Sequence, residues 1–315
     1  MVGSASVLPA FSRTAGAQAY PTRPVKVICP FPAGGQIDII ARLLGQWLSE
    51  RLGQQFIIDN RSGAGGNIGT EAGLHAAADG QTLLLATATN AINATLYDHL
   101  NFNFIRDAAP IATINRIPLV LEVHPSFVAR MVPELIASIK GNPGKTGLAT
   151  PTKGTGPYMA AELFKMMAGL DVVSIPYRGE AQMVTDLLGG QVQVAFGGIS
   201  PSLEHIKAGN LRALAVASGE RLEALPNIPT IGETISGYEA SGWCGVVAPK
   251  NTPGEVIGKL NREINAGLAD PKVKATLADM GLTVFASSPA EFEKLIAVET
   301  EKWSKVVKFA SLKPD

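Results

Sequence analysis

Glycine-rich turns stand at four places where a predicted strand passes into a predicted helix, and such turns can bind anions. The first contains Gly34 and Gly35, and similar turns recur near Gly65, Gly154 and Gly197. Glycine removes the Cβ atom that would keep a ligand off the backbone, and the helix N-terminus that follows presents outward-facing amide N–H groups. Each turn alone could be a plain structural connection. Their repetition favours non-covalent capture of an anion.

The sequence offers little that could carry out catalysis. The glycine turns fit neither the G-x-G-x-x-G dinucleotide pattern nor the phosphate loop that ends in Gly-Lys-Ser/Thr. The segment from Gly198 to Ser202 lacks the G-x-S-x-G order of a hydrolase nucleophile. The histidines have no metal-ligand spacing; they are His75, His99, His124 and His205. We therefore expect no enzyme, no metal and no other cofactor, with an α/β enzyme as the remote alternative.

Composition restricts the partners. The chain has 315 residues, of which 27 are basic and 27 acidic, and 46% are hydrophobic. This length and apolar content are sufficient for two domains of ordinary size. The balanced charge gives no electrostatic attraction to nucleic acid, so no nucleic-acid partner is expected. Cys29 and Cys244 both lie in apolar runs, and the sequence leaves open whether they pair.

The elements that must position the turns form two series of alternating strands and helices. The first runs from Val25 through the apolar run at 82–86, and the second follows Pro125. This alternation predicts parallel sheets in an α/β fold. The apolar runs Leu119–Val123 and Gly242–Ala248 are the natural crossings between two domains that face each other across a cleft. We predict domain 1 at 20–122 plus 249–315 and domain 2 at 123–248.

The N-terminal segment has features of a secretion signal. Ala17-Gln18-Ala19 is a small-residue pattern that signal peptidase accepts, and short apolar stretches precede it. We interpret residues 1–19 as the remainder of a signal peptide, with a merely disordered segment as the alternative. A periplasmic location is therefore expected.

A set of motifs in a fixed order identifies a resemblance to a known family. The motifs are Pro30-Phe31-Pro32-Ala33-Gly34-Gly35 with Asp38, Asn60-Arg61 with Gly63-Ala64-Gly65-Gly66-Asn67-Ile68-Gly69, Ala91-Ile92-Asn93 before Leu96-Tyr97, Pro176-Tyr177-Arg178-Gly179, Asp186-Leu187-Leu188-Gly189-Gly190-Gln191-Val192, Pro226 with Pro229-Thr230, and Ala248-Pro249 before Thr252-Pro253. Together they resemble the periplasmic receptors of tripartite tricarboxylate transporters, the Bug family. The match runs from about Tyr20 to the C-terminus.

The resemblance implies a type II periplasmic-binding-protein fold, with two α/β domains around a cleft joined by two crossing strands. It implies a monomer that captures a small carboxylic acid and meets a membrane permease transiently. One ligand carboxylate would sit on the loop after the first strand and the other on the corresponding loop of domain 2. The resemblance carries over these ligand-binding residues: Phe31, Pro32, Ala33, Gly34, Gly35, Gln36, Gly65, Asn67, Thr87, Thr152, Lys153, Gly154, Thr155, Gly156, Phe196, Gly197 and Gly198.

Individual residues in this set have competing interpretations. The hydroxyls of Thr87, Thr152 and Thr155 could donate to a carboxylate, or they could only cap helices and stabilise turns. Lys153 could supply charge or remain solvated. Asp38 would repel an anion, so we expect it to order the loop instead.

One departure from the family pattern bears on the ligand. The family often has Asp where this chain has Gly197, so a partner for a ligand amino group is missing there. This favours a plain dicarboxylate over an amino acid. The sequence does not separate a transport receptor from an orphan sensor for a signalling system, because both use the same two-domain build.

Overall fold

Two separate β-sheets organise the protein in the computed structural model, which describes residues 20–314. The strands are β1 Val25–Cys29, β2 Phe56–Asn60, β3 Thr82–Thr87, β4 Ala108–Ile117, β5 Leu119–Val123, β6 Gly147–Thr150, β7 Val173–Pro176, β8 Val194–Gly198, β9 Arg212–Val216, β10 Gly242–Pro249 and β11 Thr283–Val284. The helices are α1 Gln36–Leu52, α2 Asn67–Leu74, α3 Ala88–Leu96, α4 Phe104–Asp107, α5 Val132–Gly141, α6 Gly156–Ala168, α7 Glu180–Leu188, α8 Ile199–Lys207, α9 Gly254–Ala269, α10 Pro271–Asp279 and α11 Pro289–Phe309.

Each sheet mixes parallel and antiparallel strands. The first sheet has the order β11-β4-β10-β3-β1-β2, and the second has the order β7-β6-β8-β5-β9. β1 pairs parallel with β2 and β3, whereas β10 pairs antiparallel with β3 and β4. In the second sheet β6 is parallel to β7 and β8, whereas β5 is antiparallel to β8 and β9. The predicted parallel pairing is confirmed for β1 with β2 and β3 and for β6 with β7 and β8. It is wrong for the two crossing strands β5 and β10 and for β11, which run antiparallel to their neighbours.

Strand pairing also shows where the chain crosses. β5 pairs throughout with strands of the second sheet, and β10 pairs throughout with strands of the first. The boundaries expected from the sequence, at 122/123 and 248/249, assign most of β5 to domain 1 and most of β10 to domain 2. Each strand is, however, hydrogen-bonded to the sheet of the other domain. We therefore propose that the first boundary lies at Pro118 and the second between β9 and β10. The two α/β layers and the two crossings agree with the fold class inferred from the sequence.

Amphipathic helices cover the sheets and fix the loops that open between strand and helix. In α1 the side chains of Ile40, Leu44 and Leu48 are buried, and the helix ends at Gly53, which adopts the left-handed conformation with φ 71°. This three- and four-residue spacing places the apolar face on the sheet and leaves the N-terminus of the helix at the strand end. The loop at 30–35 is thereby held above the carboxyl end of β1.

The chain returns to the first sheet at β10, and the last three helices follow it. α11 begins at a Ser288 cap, whose hydroxyl oxygen accepts from Glu291 N, and it buries Phe292 and Trp303. Phe292 packs edge-to-face on Trp243 of β10, with 5.3 Å between ring centroids. This contact fixes the position of Trp243, which lines the cleft between the two sheets.

Both cysteines are buried free thiols. They pack in the apolar cluster between the first sheet and α1 and α9. Burial raises the pKa of each thiol above its ordinary value. Cys29 and Cys244 are therefore two separate core thiols and do not form a disulfide with each other.

The described helices include none with both the length and the apolar character needed to cross a bilayer. The signal-peptide interpretation of residues 1–19 lies outside the described residues.

Candidate functional site

A cleft of about 380 Å³ opens between the two sheets where several strands end and helices begin. It is lined by Phe31, Gln36, Ile37, Thr87, Ala88, Thr89, Ile117, Leu119, Gly156, Pro157, Glu180, Gly198, Ser200, Pro201, Gly242 and Trp243. Both sheets contribute to these walls. The mixture of apolar side chains with a few polar groups is typical of a small-molecule site.

The wall from the first sheet begins with the loop between β1 and α1. Asp38 is buried and accepts hydrogen bonds from Gly34 N at 2.8 Å, Arg42 Nε at 2.9 Å and Asn60 Nδ2 at 2.9 Å. The hydrogen bond from Arg42, with those from Gly34 and Asn60, lowers the pKa of the Asp38 carboxyl to about 2. Asp38 therefore stays ionised and ties the loop to α1 and β2.

The hydrogen bonds to Asp38 determine which backbone amides of this loop remain available to bind a ligand. The Gly34 amide, expected from the sequence to face an anion, is instead bonded to Asp38. Pro32, Ala33, Gly34 and Gly35 are exposed and do not line the cleft. Phe31 and Gln36 do line it, and the first-turn amides of α1 have no partner within the helix.

Two neighbouring strands supply buried polar groups to the same wall. Thr87 ends β3, and its strand partner across the ladder is Cys244, which follows Trp243 on β10. Trp243 Nε1 is buried and has no hydrogen-bond partner within residues 20–314. Thr87 caps α3 in a capping box with Asn90, and its buried hydroxyl donates to no group among the described residues. A buried polar group without a partner costs about 1–3 kcal/mol. A ligand or water that bonds to either group would remove part of this cost.

A hydrogen-bonded network holds the end of β3 in place. Thr87 N donates to Asn90 Oδ1, Asn90 Nδ2 donates to Thr70 Oγ1, and Thr70 Oγ1 donates to Gly66 O. The predicted residues Gly65 and Asn67 belong to a neighbouring part of this network, because Asn93 Nδ2 donates to Gly65 O and to Asn67 Oδ1. Gly65 and Asn67 therefore support α3 and do not line the cleft.

The wall from the second sheet contains the first residue of α6, the end of β8 and the starts of α7 and α8. Gly156 and Gly198 reach the cleft there, as predicted for their turns, together with Ser200. The Glu180 side chain also lies in this wall, and its Oε1 accepts from Gly198 N at 2.9 Å. Burial raises the pKa of Glu180 above its ordinary value, although the Gly198 bond opposes this.

The loop at 152–156 is held by its own hydroxyls. Thr155 Oγ1 donates to Thr152 O at 2.6 Å, and Thr152 Oγ1 lies 3.3 Å from Tyr177 O and 3.2 Å from Arg178 O. These contacts correspond to the turn-stabilising alternative for both threonines. Thr152, Lys153, Gly154 and Thr155 are not among the residues that line the cleft.

Two further predicted residues are covered by the second sheet's own packing. Phe196 is fully buried, with its ring 5.7 Å from that of Phe164. A Cβ atom on Gly197 would lie 2.9 Å from Met183 Cε and 3.6 Å from Glu122 Oε1. β8 lies inside the sheet with neighbours on both edges, so only its last residue, Gly198, reaches the cleft.

Glu180 lies beside a position that the sequence analysis singled out. Gly197 carries no carboxylate, and the Glu180 carboxyl is hydrogen-bonded to the next residue of the strand end, Gly198. A Cβ atom on Gly198 would lie 2.9 Å from Glu180 Oε1. The signal was present in the sequence, because Glu180 directly follows Tyr177-Arg178-Gly179 at a strand-to-helix turn of the same kind as the others.

The two sheets, the two crossings and the polar cleft between them define a solute-binding receptor with two domains. Comparisons with known proteins give the same class and identify the family. The model of the tripartite tricarboxylate transporter family receptor matches residues 40–312. The chain belongs to this family, whose members are periplasmic solute-binding receptors and not enzymes. The resemblance inferred from the motifs is thereby confirmed.

Individual relatives cover nearly the whole chain. Protein BugT of Bordetella pertussis (strain Tohama I) is 38% identical over 312 residues, which cover 96% of each chain. An R. palustris protein solved with adipate is 34% identical with a TM-score of 0.78, over 94% of this chain and 100% of that chain. MatC from Rhodopseudomonas palustris, solved with bound malate, is 27% identical with a TM-score of 0.74, over 91% and 100% of the two chains.

Proposed function

We propose that this chain is a periplasmic receptor that captures a small dicarboxylic acid and delivers it to the membrane permease of a tripartite tricarboxylate transporter. It acts as a monomer that contacts the permease transiently. The observation that carries the proposal is the cleft, where Trp243 Nε1 is buried without a partner among residues 20–314 and lies beside the Thr87 hydroxyl and helix N-termini. Relatives solved with adipate and malate support the choice of ligand class.

Hydrogen-bond donors and helix dipoles replace basic side chains in this site. The residues that line the cleft include neither Lys nor Arg. A carboxylate can instead accept from the first-turn amides of α1, from the Thr87 hydroxyl and from the Trp243 indole. Hydrogen bonds to an ionised group contribute about 1.5–3 kcal/mol each, and the N-terminus of α1 adds favourable dipole energy. The other carboxylate of the ligand would meet the start of α6 at Gly156.

The test is a thermal-shift screen of the full chain against C4–C10 dicarboxylates, citrate, aromatic carboxylates, amino acids, sugars and nucleotides. An acid present at 100 times its Kd should stabilise the native state by about 2.7 kcal/mol. A clear rise in melting temperature with at least one dicarboxylate is expected. A response to sugars or nucleotides, with none to any acid, would show that the proposed function is wrong.

Two threonine variants, run in the same screen, locate the contact. Thr87→Val should lose about 0.5–2 kcal/mol of stability, because its side chain caps α3 in a capping box with Asn90, and it should lose about ten- to a hundred-fold in affinity. Thr155→Val should melt earlier without ligand, because it loses the bond to Thr152 O, and should keep the ligand-induced shift. A ligand-induced shift that Thr87→Val keeps and Thr155→Val loses would instead place the carboxylate on the Thr155 hydroxyl.

A further inference from the structure

We propose that Glu180 takes up one proton from solvent when the acid binds, so that the receptor captures an ionised dicarboxylate together with that proton. This inference rests on the proposed function, because it assumes a small dicarboxylic acid in the cleft. It deepens that function by assigning the charge state in which the acid is held. Two observations carry it, namely the charges that line the cleft and the position of the Glu180 carboxyl.

The cleft contains one acidic side chain and no basic one. Among the residues that line it, Glu180 alone carries a titratable side chain. Within residues 20–314, no Lys, Arg or His nitrogen lies within 4.0 Å of its carboxyl oxygens. A dicarboxylate at neutral pH adds two negative charges to this site. Three negative charges without a nearby cation disfavour binding, and one proton on Glu180 reduces their number to two.

One oxygen of the Glu180 carboxyl is fixed by the second sheet. Glu180 is the first residue of α7, and its Oε1 accepts from Gly198 N at 2.9 Å. A backbone N–H can only donate, so Oε1 remains an acceptor and the proton is expected on Oε2. A carboxyl group protonated in this way donates one hydrogen bond and keeps the Gly198 contact.

The proposed place of the ligand's far carboxylate lies beside the turn that carries Glu180. Gly156 and Glu180 both line the cleft. The loop before Gly156 is held to the turn before Glu180, because Thr152 Oγ1 lies 3.2 Å from Arg178 O. A protonated Glu180 donates its O–H to the far carboxylate, whereas an ionised Glu180 has no hydrogen to donate and repels it. The bound proton therefore turns a repulsive contact into a hydrogen bond.

The second carboxyl group near these glycines, that of Glu122 on β5, neither adds charge nor supplies a cation at neutral pH. Its Oε1 would lie 3.6 Å from a Cβ atom on Gly197. Burial raises the pKa of Glu122 to about 8, so this carboxyl is mostly protonated at neutral pH. Burial also raises the pKa of Glu180 above its ordinary value, and two ligand carboxylates would raise it further.

The other elements packed against α7 bring no charge to the Glu180 carboxyl. β6 and β8 contain no titratable side chain. The titratable residues of α8 lie at its C-terminal end and are Glu204, His205 and Lys207. In the turn before α7, Tyr177 Oη donates to Asp186 Oδ2 at 3.0 Å, and the Arg178 side chain is exposed. Solvent is therefore the source of the compensating charge.

Titration calorimetry in buffers with different enthalpies of ionisation counts the protons that are taken up with the acid. The ligand is the tightest binder among succinate, glutarate and adipate, titrated from about pH 6.5 to pH 8.5, where both of its carboxyls are ionised. We expect a net uptake that approaches one proton per acid. The Kd should rise with pH, by up to about ten-fold per pH unit.

The variant Glu180→Gln mimics the protonated carboxyl, because its amide keeps an acceptor for Gly198 N and gains a donor for the acid. It should bind the same acid without proton uptake and with a Kd that pH does not change. At the high end of the pH range it should bind at least as tightly as wild type. A merely structural role for Glu180 would leave the proton uptake and the pH slope as they are in wild type.

Two variants control for other carboxyl groups. Glu204→Gln on α8 should behave as wild type, because the Glu204 side chain is 81% exposed and does not line the cleft. Glu122→Gln should keep the proton uptake at the low end of the pH range, where Glu122 is protonated with or without ligand. Uptake that is lost in Glu122→Gln and kept in Glu180→Gln would assign the proton to Glu122 and overturn the inference.

The outcomes separate this inference from the proposed function. Wild-type protein that binds its dicarboxylate without proton uptake, at a Kd independent of pH, overturns the proton assignment and leaves the receptor proposal intact. This wild-type result stands even if Glu180→Gln fails to fold. Tighter binding of the matched amino acid without uptake (aspartate for succinate, glutamate for glutarate) overturns the assignment as well, because an ammonium group would then compensate Glu180. Failure of every acid to bind contradicts the proposed function itself.

Discussion

We expect the variant Gly156→Asp to lose at least a hundred-fold in affinity for small carboxylic acids while it keeps its fold. Gly156 lines the cleft, and a Cβ atom placed on it meets no other atom within 4 Å. The new carboxylate would stand where the ligand's far carboxylate is proposed to bind. Two like charges 4 Å apart near a protein surface repel by roughly 4 kcal/mol, on the order of a thousand-fold in Kd. Titration calorimetry with the acid found in the screen measures this loss.

Matched variants separate charge from size and from effects on the helix. Gly156→Asn has nearly the same volume without the charge, and it should weaken binding far less than Gly156→Asp. Gly254→Asp is a control for the helix, because Gly254 also begins a helix and its added Cβ atom also meets nothing within 4 Å. An acid in the first turn of either helix favours the helix dipole. Equal affinity of Gly156→Asp and wild type would remove α6 from the site.

The variant Glu122→Gln should raise the free energy of unfolding at neutral pH by roughly 2–4 kcal/mol. Glu122 is fully buried on β5, where Ser202 Oγ donates to Oε1 at 2.8 Å and Oε2 has no partner in the described structure. Burial raises the pKa of this carboxyl to about 8, and the nearby Glu180 carboxyl adds to the rise. The folded protein therefore binds a proton at neutral pH that the unfolded chain releases.

The sign of the pH dependence follows from this difference. Below about pH 4.5 Glu122 is protonated in both states, so its full contribution to stability is present. As the pH rises toward 8, only the unfolded state ionises freely, and wild-type stability falls. Denaturant unfolding from pH 4 to pH 9 should show this fall in wild type and a smaller one in Glu122→Gln. Glu204→Gln, at an exposed position, should follow wild type. Parallel curves for wild type and Glu122→Gln would contradict the raised pKa.

Much of the fold could be predicted because strong local signals and tertiary packing agree. The apolar spacing of α1 and the Pro-initiated helices α10 and α11 predicts elements close to those observed. The crossings were predicted as apolar runs, but sequence cannot show which sheet such a strand joins. β5 is buried throughout and β10 is buried except at Gly242, and both have neighbours on both sides, so neither carries the alternation that would reveal its partner.

The sequence predicts which turns lie at the candidate site, but it does not predict which side chains line the cleft. Gly156, Gly198 and Thr87 reach the cleft because each ends a strand or begins a helix at the shared edge. Phe196 does not, because residues inside a strand with neighbours on both edges pack into the core. Gly34 was assigned to the ligand from its glycine turn and the family resemblance, whereas its amide is bonded to Asp38, four residues away in the first turn of α1.

Glu180 was not assigned to the site for a different reason. Its contact is with Gly198, 18 residues away, across the gap between α7 and β8. Local spacing predicts that Glu180 starts a helix, and an acid there is a common first-turn residue. Only the pairing of β6 with both β7 and β8 brings the start of α7 beside the end of β8.

The central claim is that a small carboxylic acid binds in the cleft between the two sheets, and a crystal structure of the chain with its tightest-binding acid tests it most directly. The account predicts one carboxylate against Gln36, Thr87 and Trp243, with the rest of the acid between Gly156 and Glu180. An acid found instead in the other large cavity, which Glu162, Lys165 and Phe309 line, would contradict it.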